Sequence, residues 1–215
     1  MAVVRVRQHV NPLSSKYQVS VGPPDWAKVY DQPQNPLHID IGCGKGLFLQ
    51  RMAELHPDWN FLGLEIRKPV VEQAQRRFED LGLANLHIMF CNVNISFPAL
   101  MTSLGNPNPL QQVSIQFPDP WFKKRHQKRR VLQPGLVHDL ATFLPQGGRV
   151  VLQSDVEAVA AEMCDRMAEN PHFTRTSPYW LPASPFPAQT DREQVTLEKG
   201  LPVFRAIFVK SAPSA

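Results

Sequence analysis

Apolar residues along this chain follow two alternating spacings. Short runs rich in β-branched and large apolar residues recur from residue 37 onward, and most are followed by stretches in which apolar residues return every three or four positions. The first spacing is typical of buried strands, and the second of helices that pack on one face. The predicted strands are residues 37–41, 59–66, 86–90, 113–117, 149–153 and 203–209. The predicted helices are residues 47–55, 69–81, 136–144 and 156–169.

This alternation predicts the fold class. Strands separated by helices pair in parallel, and the helices cover both faces of the sheet. We therefore expect an α/β fold with a mostly parallel, twisted sheet and helices on both of its faces. Prolines are frequent before residue 35 and between residues 171 and 202. We predict an N-terminal extension over residues 1–35 and a main domain over residues 36–215, in which residues 171–202 form an irregular insertion on the substrate side.

Composition indicates the size of the core and the cellular compartment expected for this domain. A chain of 215 residues with 43% hydrophobic content can bury one sizeable core. No apolar run approaches the ~20 residues that a membrane-spanning helix needs, and the charged start, residues 1–7, is unlike a secretory signal. Cys43, Cys91 and Cys164 lack metal-ligand spacing and are predicted to be buried thiols in a reducing compartment. We expect a cytoplasmic protein without a metal site.

Positive charge is concentrated in one short stretch. The chain carries a net charge of +4, from 23 Lys and Arg residues against 19 Asp and Glu residues. Six of the cations lie between Lys123 and Arg130, and without them 17 cations would face 19 acids, a net charge of −2. A basic stretch is often only a solvated surface. Concentration of the charge in one place instead favours an anionic polymer as partner, and we predict nucleic acid.

A fixed acid and two aromatic rings precede this basic stretch. Two prolines flank Asp119 directly after the strand predicted over residues 113–117. Each proline restricts its own φ and keeps the preceding residue out of the helical region. Asp119 is therefore expected on a stiff loop at a strand end, where α/β proteins place ligand-binding groups. Trp121 and Phe122 add flat surfaces on which a base can stack, so the stretch suits a site that acts on one base of a nucleic acid.

A glycine-rich turn after the first predicted strand predicts a cofactor site. Asp40 is followed by three alternate glycines, Gly42, Gly44 and Gly46. Glycines at a strand-to-helix turn let the backbone approach a ligand closely, although such a turn can also serve only to let helix and strand pack. The spacing resembles motif I of the class I S-adenosylmethionine-dependent methyltransferases. A dinucleotide fingerprint would instead need glycine at position 47, which is leucine.

Two polar residues at other strand ends fit the same ligand. S-adenosylmethionine has no phosphate but carries an ammonium group, which an acid such as Asp40 would attract. Glu65 lies one residue before the end of the second predicted strand, where a carboxylate can accept hydrogen bonds from both ribose hydroxyls. Asn92 follows the third strand and could read an adenine edge with its amide, although alone it would be an ordinary turn residue.

The stretch from Phe117 to Arg130 carries a resemblance to a narrower family. Its string Phe-Pro-Asp-Pro-Trp-x-Lys-Lys-Arg-His-x-Lys-Arg-Arg is similar to the signature of bacterial tRNA (guanine-N7)-methyltransferases, which modify the variable-loop guanosine at tRNA position 46. The similarity extends from about residue 37 to residue 209. It implies the Rossmann-like fold of class I methyltransferases, a mostly parallel twisted sheet of about seven strands. It also implies S-adenosyl-L-methionine as cofactor, tRNA as substrate, and a cytoplasmic monomer or homodimer that needs no protein partner.

The resemblance also implies roles for individual residues. The S-adenosylmethionine site would be lined by the glycine turn together with Asp40, Glu65, Asn92 and Asp119. Asp119 would also be the catalytic residue. The residues implied to bind substrate are Lys123, Asp155, Thr190 and Glu193. The residues implied to contact RNA are Arg125, His126, Gln127, Lys128, Arg129 and Arg130.

Three positions differ from the family pattern. Asp40 stands where many members have glutamate, and Phe122 stands where histidine or proline is common. Thr190-Asp-Arg-Glu193 occupies the place of a Thr-x-aromatic-Glu substrate motif, so Arg192 replaces a ring that could stack. Asp155, at the end of the fifth predicted strand, could also cap the helix that follows.

Guanine N7 has a lone pair and no proton, so methyl transfer to it needs no general base. We therefore predict that Asp119 orients the guanine and stabilises its developing charge, and that Lys123 holds a phosphate or a base oxygen. Two rival classes are a non-catalytic RNA-binding protein with a vestigial cofactor fold and a nicotinamide-dependent oxidoreductase. The joint presence of Asp40, Glu65 and Asp119 disfavours the first, and the glycine spacing and the basic stretch disfavour the second.

Overall fold

The computed structural model describes residues 10–211 and has a seven-stranded sheet with helices on both faces. The strands are β1 Leu37–Ile41, β2 Asn60–Glu65, β3 Leu86–Phe90, β4 Leu110–Gln116, β5 Arg149–Ser154, β6 Phe173–Arg175 and β7 Phe204–Lys210. The helices are α1 Trp26–Val29, α2 Leu47–Leu55, α3 Lys68–Leu81, α4 Val93–Ser103, α5 Pro134–Phe143, α6 Glu157–Ala168 and α7 Asp191–Glu198. The predicted fold class is confirmed. The start predicted to be unlike a secretory signal lies outside the described residues.

The sheet reverses its strand order at one point. The order is β3-β2-β1-β4-β5-β7-β6. Strands β1 to β5 pair in parallel, whereas β7 is antiparallel to both β5 and β6. The chain moves outward from β1 to β3 and then returns to the other side of β1 as β4. The loops after β1 and β4 therefore diverge and leave a crevice at the carboxyl edge of the sheet, where α/β folds bind ligands.

The two faces of the sheet carry different layers. Helices α4, α5 and α6 pack on one face in a large apolar cluster, and α2 and α3 pack on the other in a smaller one. Side chains alternate between the faces of a strand. Ile39 and Ile41 of β1 accordingly enter the large cluster, while Asp40 between them points to the opposite face. This alternation places the Asp40 carboxyl group on the face that α2 and α3 cover.

The described part of the N-terminal extension packs onto the core. Trp26 Nε1 donates to Ser103 Oγ at 2.8 Å, and the Tyr30 hydroxyl donates to the Phe61 carbonyl at 3.1 Å. Both aromatic side chains are buried in the large cluster. The division of the chain at residue 35 stays a prediction.

Several predicted elements need correction. Strand β4 begins at Leu110 and ends at Gln116, so Phe117 lies beyond it, with a φ of 48°. Helix α4 was not predicted because Pro98 and polar residues interrupt its apolar spacing. Residues 171–202, predicted to be irregular, contain β6 and α7, and α7 depends on the cap Thr190 and on buried polar residues. The ends of the other predicted elements lie within two residues of the observed ends.

The remaining predictions concern thiols and membranes. Cys91 and Cys164 are buried and Cys43 is half-buried, and all three are free thiols. Among residues 10–211 no helix is both long enough and apolar enough to cross a membrane.

Candidate active site

Two adjoining cavities lie in the crevice at the carboxyl edge of the sheet. The narrow cavity, of about 150 Å³, has Glu65 and Asn92 in its wall. The wide cavity, of about 630 Å³, has Asp40, Asp155 and Thr190 in its wall. Both cavities share the residues Gly42, Arg67, Phe117, Pro118 and Asp119. The structure thus gathers predicted site residues from the ends of β1, β2, β3, β4 and β5.

The glycine turn between β1 and α2 has two functions. Gly42, Gly44 and Gly46 have φ values of 79°, 58° and 70°, in the left-handed region that favours glycine. A Cβ atom at Gly42 would meet nothing within 4 Å, so the backbone leaves room for a ligand there. A Cβ atom at Gly46 would lie 2.7 Å from the Phe78 ring. Gly46, predicted to bind cofactor, is therefore required for packing against α3.

Asp40 is a buried acid in the wall of the wide cavity. Only 3% of its surface is exposed. Its Oδ1 accepts hydrogen bonds from Ser114 Oγ at 2.6 Å and from Gln116 Nε2 at 3.2 Å. Burial raises the pKa of Asp40 to about 7; the two hydrogen bonds oppose this rise, and the charge of Glu65 adds to it. Asp40 can therefore exchange a proton near neutral pH.

His38 extends the hydrogen bonding behind Asp40. Burial lowers the pKa of His38 to about 3, so its ring is neutral. Ser114 Oγ gives its hydrogen to Asp40 and lies 2.9 Å from His38 Nε2, so this nitrogen carries the ring proton and donates. Gln112 Nε2 then donates to His38 Nδ1 at 3.4 Å. All these donors point towards Asp40, which favours its ionised form.

Glu65 lies at the end of β2 and is held by Arg67. Its Oε1 accepts from the Arg67 backbone N–H at 2.9 Å and from Arg67 Nε at 3.0 Å. Its Oε2 accepts from Arg67 Nη2 at 2.8 Å and from the Gly44 N–H at 3.0 Å. Arg67 lines both cavities and was missed by the sequence analysis. A cation two residues after a strand-end acid is the signal that could have identified it. The predicted contact of Glu65 with ribose stays a prediction.

Asn92 joins the narrow cavity to the N-terminal segment. Its side chain accepts from the Asn94 N–H, which caps helix α4. Its Nδ2 group donates to the carbonyls of Pro12 and Tyr17, at 3.2 Å and 3.1 Å. In this structure the amide N–H groups therefore bind the N-terminal segment, and the predicted reading of adenine would require them to change partners.

The loop that carries Asp119 is bracketed by two residues with unusual backbones. Phe117 and Trp121 have φ values of 48° and 42°, which are rare for bulky residues and mark functional sites more often than ordinary loops. Asp119 lies between them in the wall shared by both cavities. The Arg129 guanidinium lies 5.0 Å from the centre of the Trp121 ring, so this ring is partly covered. Phe122 is 74% exposed and remains open for stacking.

Residues 123–130, here called the basic segment, form a short 3-10 helix over Lys124–Arg129. Lys123, Lys124, Arg125 and Lys128 are exposed, whereas His126, Gln127 and Arg129 are half-buried. The segment begins beside the wide cavity, since Phe122 belongs to its wall. The predicted RNA contacts of these residues stay predictions.

Arg130 departs from this pattern. Its guanidinium forms an ion pair with Glu162 of α6, and its Nε donates to the Pro120 carbonyl at 2.8 Å. Its side chain is only 12% exposed. These internal partners occupy Arg130 in this structure, so its predicted contact with RNA stays a prediction and would require the side chain to change partners. Its visible role is to fix the Asp119 loop to α6.

The substrate-side residues fall into two groups. Asp155 accepts from Arg192 Nε at 2.9 Å, and Thr190 Oγ1 caps α7 by accepting from the Glu193 N–H at 3.0 Å. Asp155, Thr190 and Arg192 line the wide cavity. Glu193 is fully buried and contacts Arg205 and Gln153 instead. In this structure α7 turns the Glu193 side chain towards the sheet, and its predicted contact with substrate stays a prediction.

Comparison with known proteins agrees with this geometry. A protein-family model described as "Putative methyltransferase" matches residues 34–206. A tRNA (guanine-N(7)-)-methyltransferase of Trichormus variabilis is 55% identical over 206 residues, which cover 95% of each chain. A protein of the same name from Synechococcus elongatus is 55% identical over 210 residues, which cover 98% of each chain.

Solved structures share the fold at low sequence identity. A 16S rRNA (adenine(1408)-N(1))-methyltransferase of Catenulisporales acidiphilia aligns with a TM-score of 0.58 at 14% identity, covering 92% of this chain and 95% of the other. A SAM-dependent O-methyltransferase of Thermotoga maritima aligns with a TM-score of 0.54 at 15% identity, covering 92% of this chain and 69% of the other. These likenesses show the class I methyltransferase fold. Together with identity to curated relatives over almost the whole chain, they place the protein in the bacterial tRNA (guanine-N7)-methyltransferase family, whose members are S-adenosylmethionine-dependent enzymes.

Proposed function

We propose that this enzyme transfers the methyl group of S-adenosyl-L-methionine to N7 of the guanosine at position 46 in the variable loop of tRNA. The observation that carries the proposal is the placement of Asp119. It lies in the wall common to both cavities, and the exposed basic segment begins four residues later. One carboxylate can thus contact both a cofactor and a base, beside a surface suited to phosphates. The names of the relatives support tRNA as the substrate.

The residues at the cavities fit the cofactor. The open space at Gly42 gives the ligand room between the cavities. Asp40 supplies an acid for the ammonium group, and Glu65 and Arg67 bring acceptors and donors to the nucleoside side. Together the cavities fall within the range of roughly 300–1,000 Å³ that is common for ligand sites. When bound, the cofactor supplies an electrophilic methyl group on a positively charged sulfur.

The protein's own contribution is positioning and electrostatics. Guanine N7 attacks with its lone pair, so no side chain has to remove a proton. Asp119 accepts hydrogen bonds from the N1–H and amino groups of guanine, and its charge favours the ring that becomes cationic. Lys123 and the exposed cations of the basic segment hold phosphates, and Phe122 offers a surface for stacking.

A pair of tRNA transcripts tests the proposal. One carries guanosine at position 46 and the other adenosine, and both are incubated with the enzyme and S-adenosylmethionine. Mass spectrometry of nuclease digests should find one 7-methylguanosine, at position 46, in the first transcript and none in the second. A 7-methylguanosine elsewhere would contradict the position, and the lack of this nucleoside in both transcripts would overturn the proposed activity.

A further inference from the structure

A row of buried polar side chains crosses the sheet on the face that α2 and α3 cover. It runs from Arg205 on β7 through Gln153 on β5 and Gln116 on β4 to Asp40 on β1. Their exposures are 3%, 0%, 8% and 3%. A buried polar group is costly unless it has a hydrogen-bond partner. These groups satisfy one another, so the row is one connected network.

Glu193 of α7 closes the far end of this row. Its Oε1 accepts from Arg205 Nη2 at 2.6 Å, and its Oε2 accepts from Gln153 Nε2 at 3.1 Å. Arg205 Nε also donates to Gln153 Oε1 at 3.2 Å. The buried ion pair therefore holds the Gln153 amide at both its oxygen and its nitrogen.

The charges of the ion pair determine which way the amides point. A carboxylate only accepts hydrogen bonds and a guanidinium only donates them, so Gln153 must turn its NH₂ group to Glu193 and its oxygen to Arg205. The same NH₂ group donates to Gln116 Oε1 at 3.2 Å. Gln116 must then present its own NH₂ group to Asp40 Oδ1, at 3.2 Å. A reversed Gln116 would place a carbonyl oxygen against a carboxylate.

We propose that Glu193 is a positioning residue for the cofactor-binding acid: with Arg205 it sets the direction of the Gln153–Gln116 relay, so that an N–H donor faces Asp40. This inference rests on the proposed cofactor role of Asp40. It gives Glu193 a task that agrees with its complete burial. Because Thr190 at the start of the same helix lines the wide cavity, the relay also fixes the substrate side of the site relative to the cofactor side.

A simpler role for the ion pair would be to anchor α7 without any effect on Asp40. The two roles differ in one measurable respect. If Glu193 acts through the relay, its contribution to cofactor binding depends on Gln116. If it only anchors the helix, the contribution is the same whether Gln116 is present or not.

A double-mutant cycle separates these roles. Glu193→Gln removes the charge and keeps the shape, and Gln116→Met breaks the relay while leaving the ion pair intact. The Kd of S-adenosylmethionine is measured by calorimetry for the wild type, both single variants and the double variant. Each single variant should bind about 10-fold more weakly, as expected for a lost bond to a charged group, and the double variant should be no weaker than either. Glu198→Gln, the same change at an exposed position of α7, should bind as the wild type does.

The outcomes are distinct. The relay would be overturned if the fold-increase in Kd of the double variant equals the product of the two single-variant increases. An unchanged Kd in Glu193→Gln would also overturn it. If Glu193→Gln does not fold, as thermal unfolding would reveal, Gln153→Met takes its place in the cycle, and additive losses again overturn the proposal. Asp40→Asn tests the underlying site. If this variant binds cofactor as well as the wild type does, the assigned site and the relay both fail; if it binds weakly while Glu193→Gln does not, only the relay fails.

Discussion

Cofactor binding should be linked to the protonation of Asp40. Burial and the neighbouring Glu65 raise the pKa of this carboxyl group to about 7, against its usual 3.8. In the proposed site, the ammonium group of S-adenosylmethionine requires the ionised form of Asp40. At pH values below 7, binding must therefore be accompanied by the release of a proton from Asp40, and the affinity should fall as the pH falls.

The size of this effect follows from the pKa. For a group that titrates at about 7, most of the ionised fraction is lost between pH 7.0 and pH 5.5, so Kd should rise on the order of 10-fold. The number of protons released per cofactor should rise from about one half to nearly one over the same range. The ammonium group stays charged in this window, because α-amino groups titrate near ~7.7–8.0.

Calorimetry in two buffers of different ionisation enthalpy measures both quantities. Asp40→Asn is the matched control, because it keeps the shape of the side chain but cannot ionise. Its binding should be weaker than that of the wild type at pH 7.0 and nearly independent of pH. A wild-type Kd that changes less than twofold between pH 5.5 and 7.0, or a slope that persists in Asp40→Asn, would refute the reasoning.

Four further outcomes are expected. Asp119→Asn should slow single-turnover methyl transfer far more than it weakens tRNA binding; equal losses would contradict its orienting role. Lys124→Ala combined with Lys128→Ala should flatten the slope of log Kd for tRNA against log salt by roughly 1.4–1.8 and leave cofactor binding unchanged, whereas an unaltered slope would show that both face only solvent. Arg130→Met should keep the wild-type salt slope but lose roughly 1–3 kcal/mol in urea unfolding, since the Pro120 carbonyl and the half-buried Glu162 of α6 each lose a partner. Finally, a raised pKa means that the Asp40 carboxyl group favours the folded state at low pH and that this contribution is lost as the pH rises through 7. Asp40→Asn should therefore gain stability relative to the wild type between pH 4 and pH 7, by up to about 4 kcal/mol in urea unfolding; a constant difference would exclude the raised pKa.

Much of the site could be predicted because parallel strands end at one edge. Asp40, Glu65, Asn92 and Asp119 each lie at or just after the carboxyl end of a strand that the apolar spacing identifies. Once those strands pair in parallel, the topology brings the four side chains to the same crevice. All four line one or both of the cavities. Their positions at the ends of predicted strands were therefore sufficient to predict that these four residues lie in one crevice.

Residues whose roles depend on distant partners could not be predicted. Glu193 was assigned a role from its place in a motif. Its burial, however, results from contacts with β5 and β7, and no regular spacing in the sequence predicts those contacts. Asn92 meets Pro12 and Tyr17 across about 75–80 positions of the chain. Helix α4 was missed because Pro98 has a very low helix propensity. Burial of Phe97 and Leu100 in the core stabilises the helix despite this proline.

The position of β7 between β5 and β6 has a consequence for the growing chain on the ribosome. Among the strands of residues 10–211, β6 pairs only with β7, which begins at Phe204, 29 residues after β6 ends. Until β7 has left the exit tunnel, β6 has no neighbour, β5 has an open edge, and Glu193 has no counter-ion. A nascent chain can assemble β1 to β5 as they appear, but Asp40 receives its complete hydrogen-bond support only after Arg205 is in place. If Asp40 and the relay act as proposed, the order of synthesis delays cofactor binding until after the parallel part of the sheet has formed.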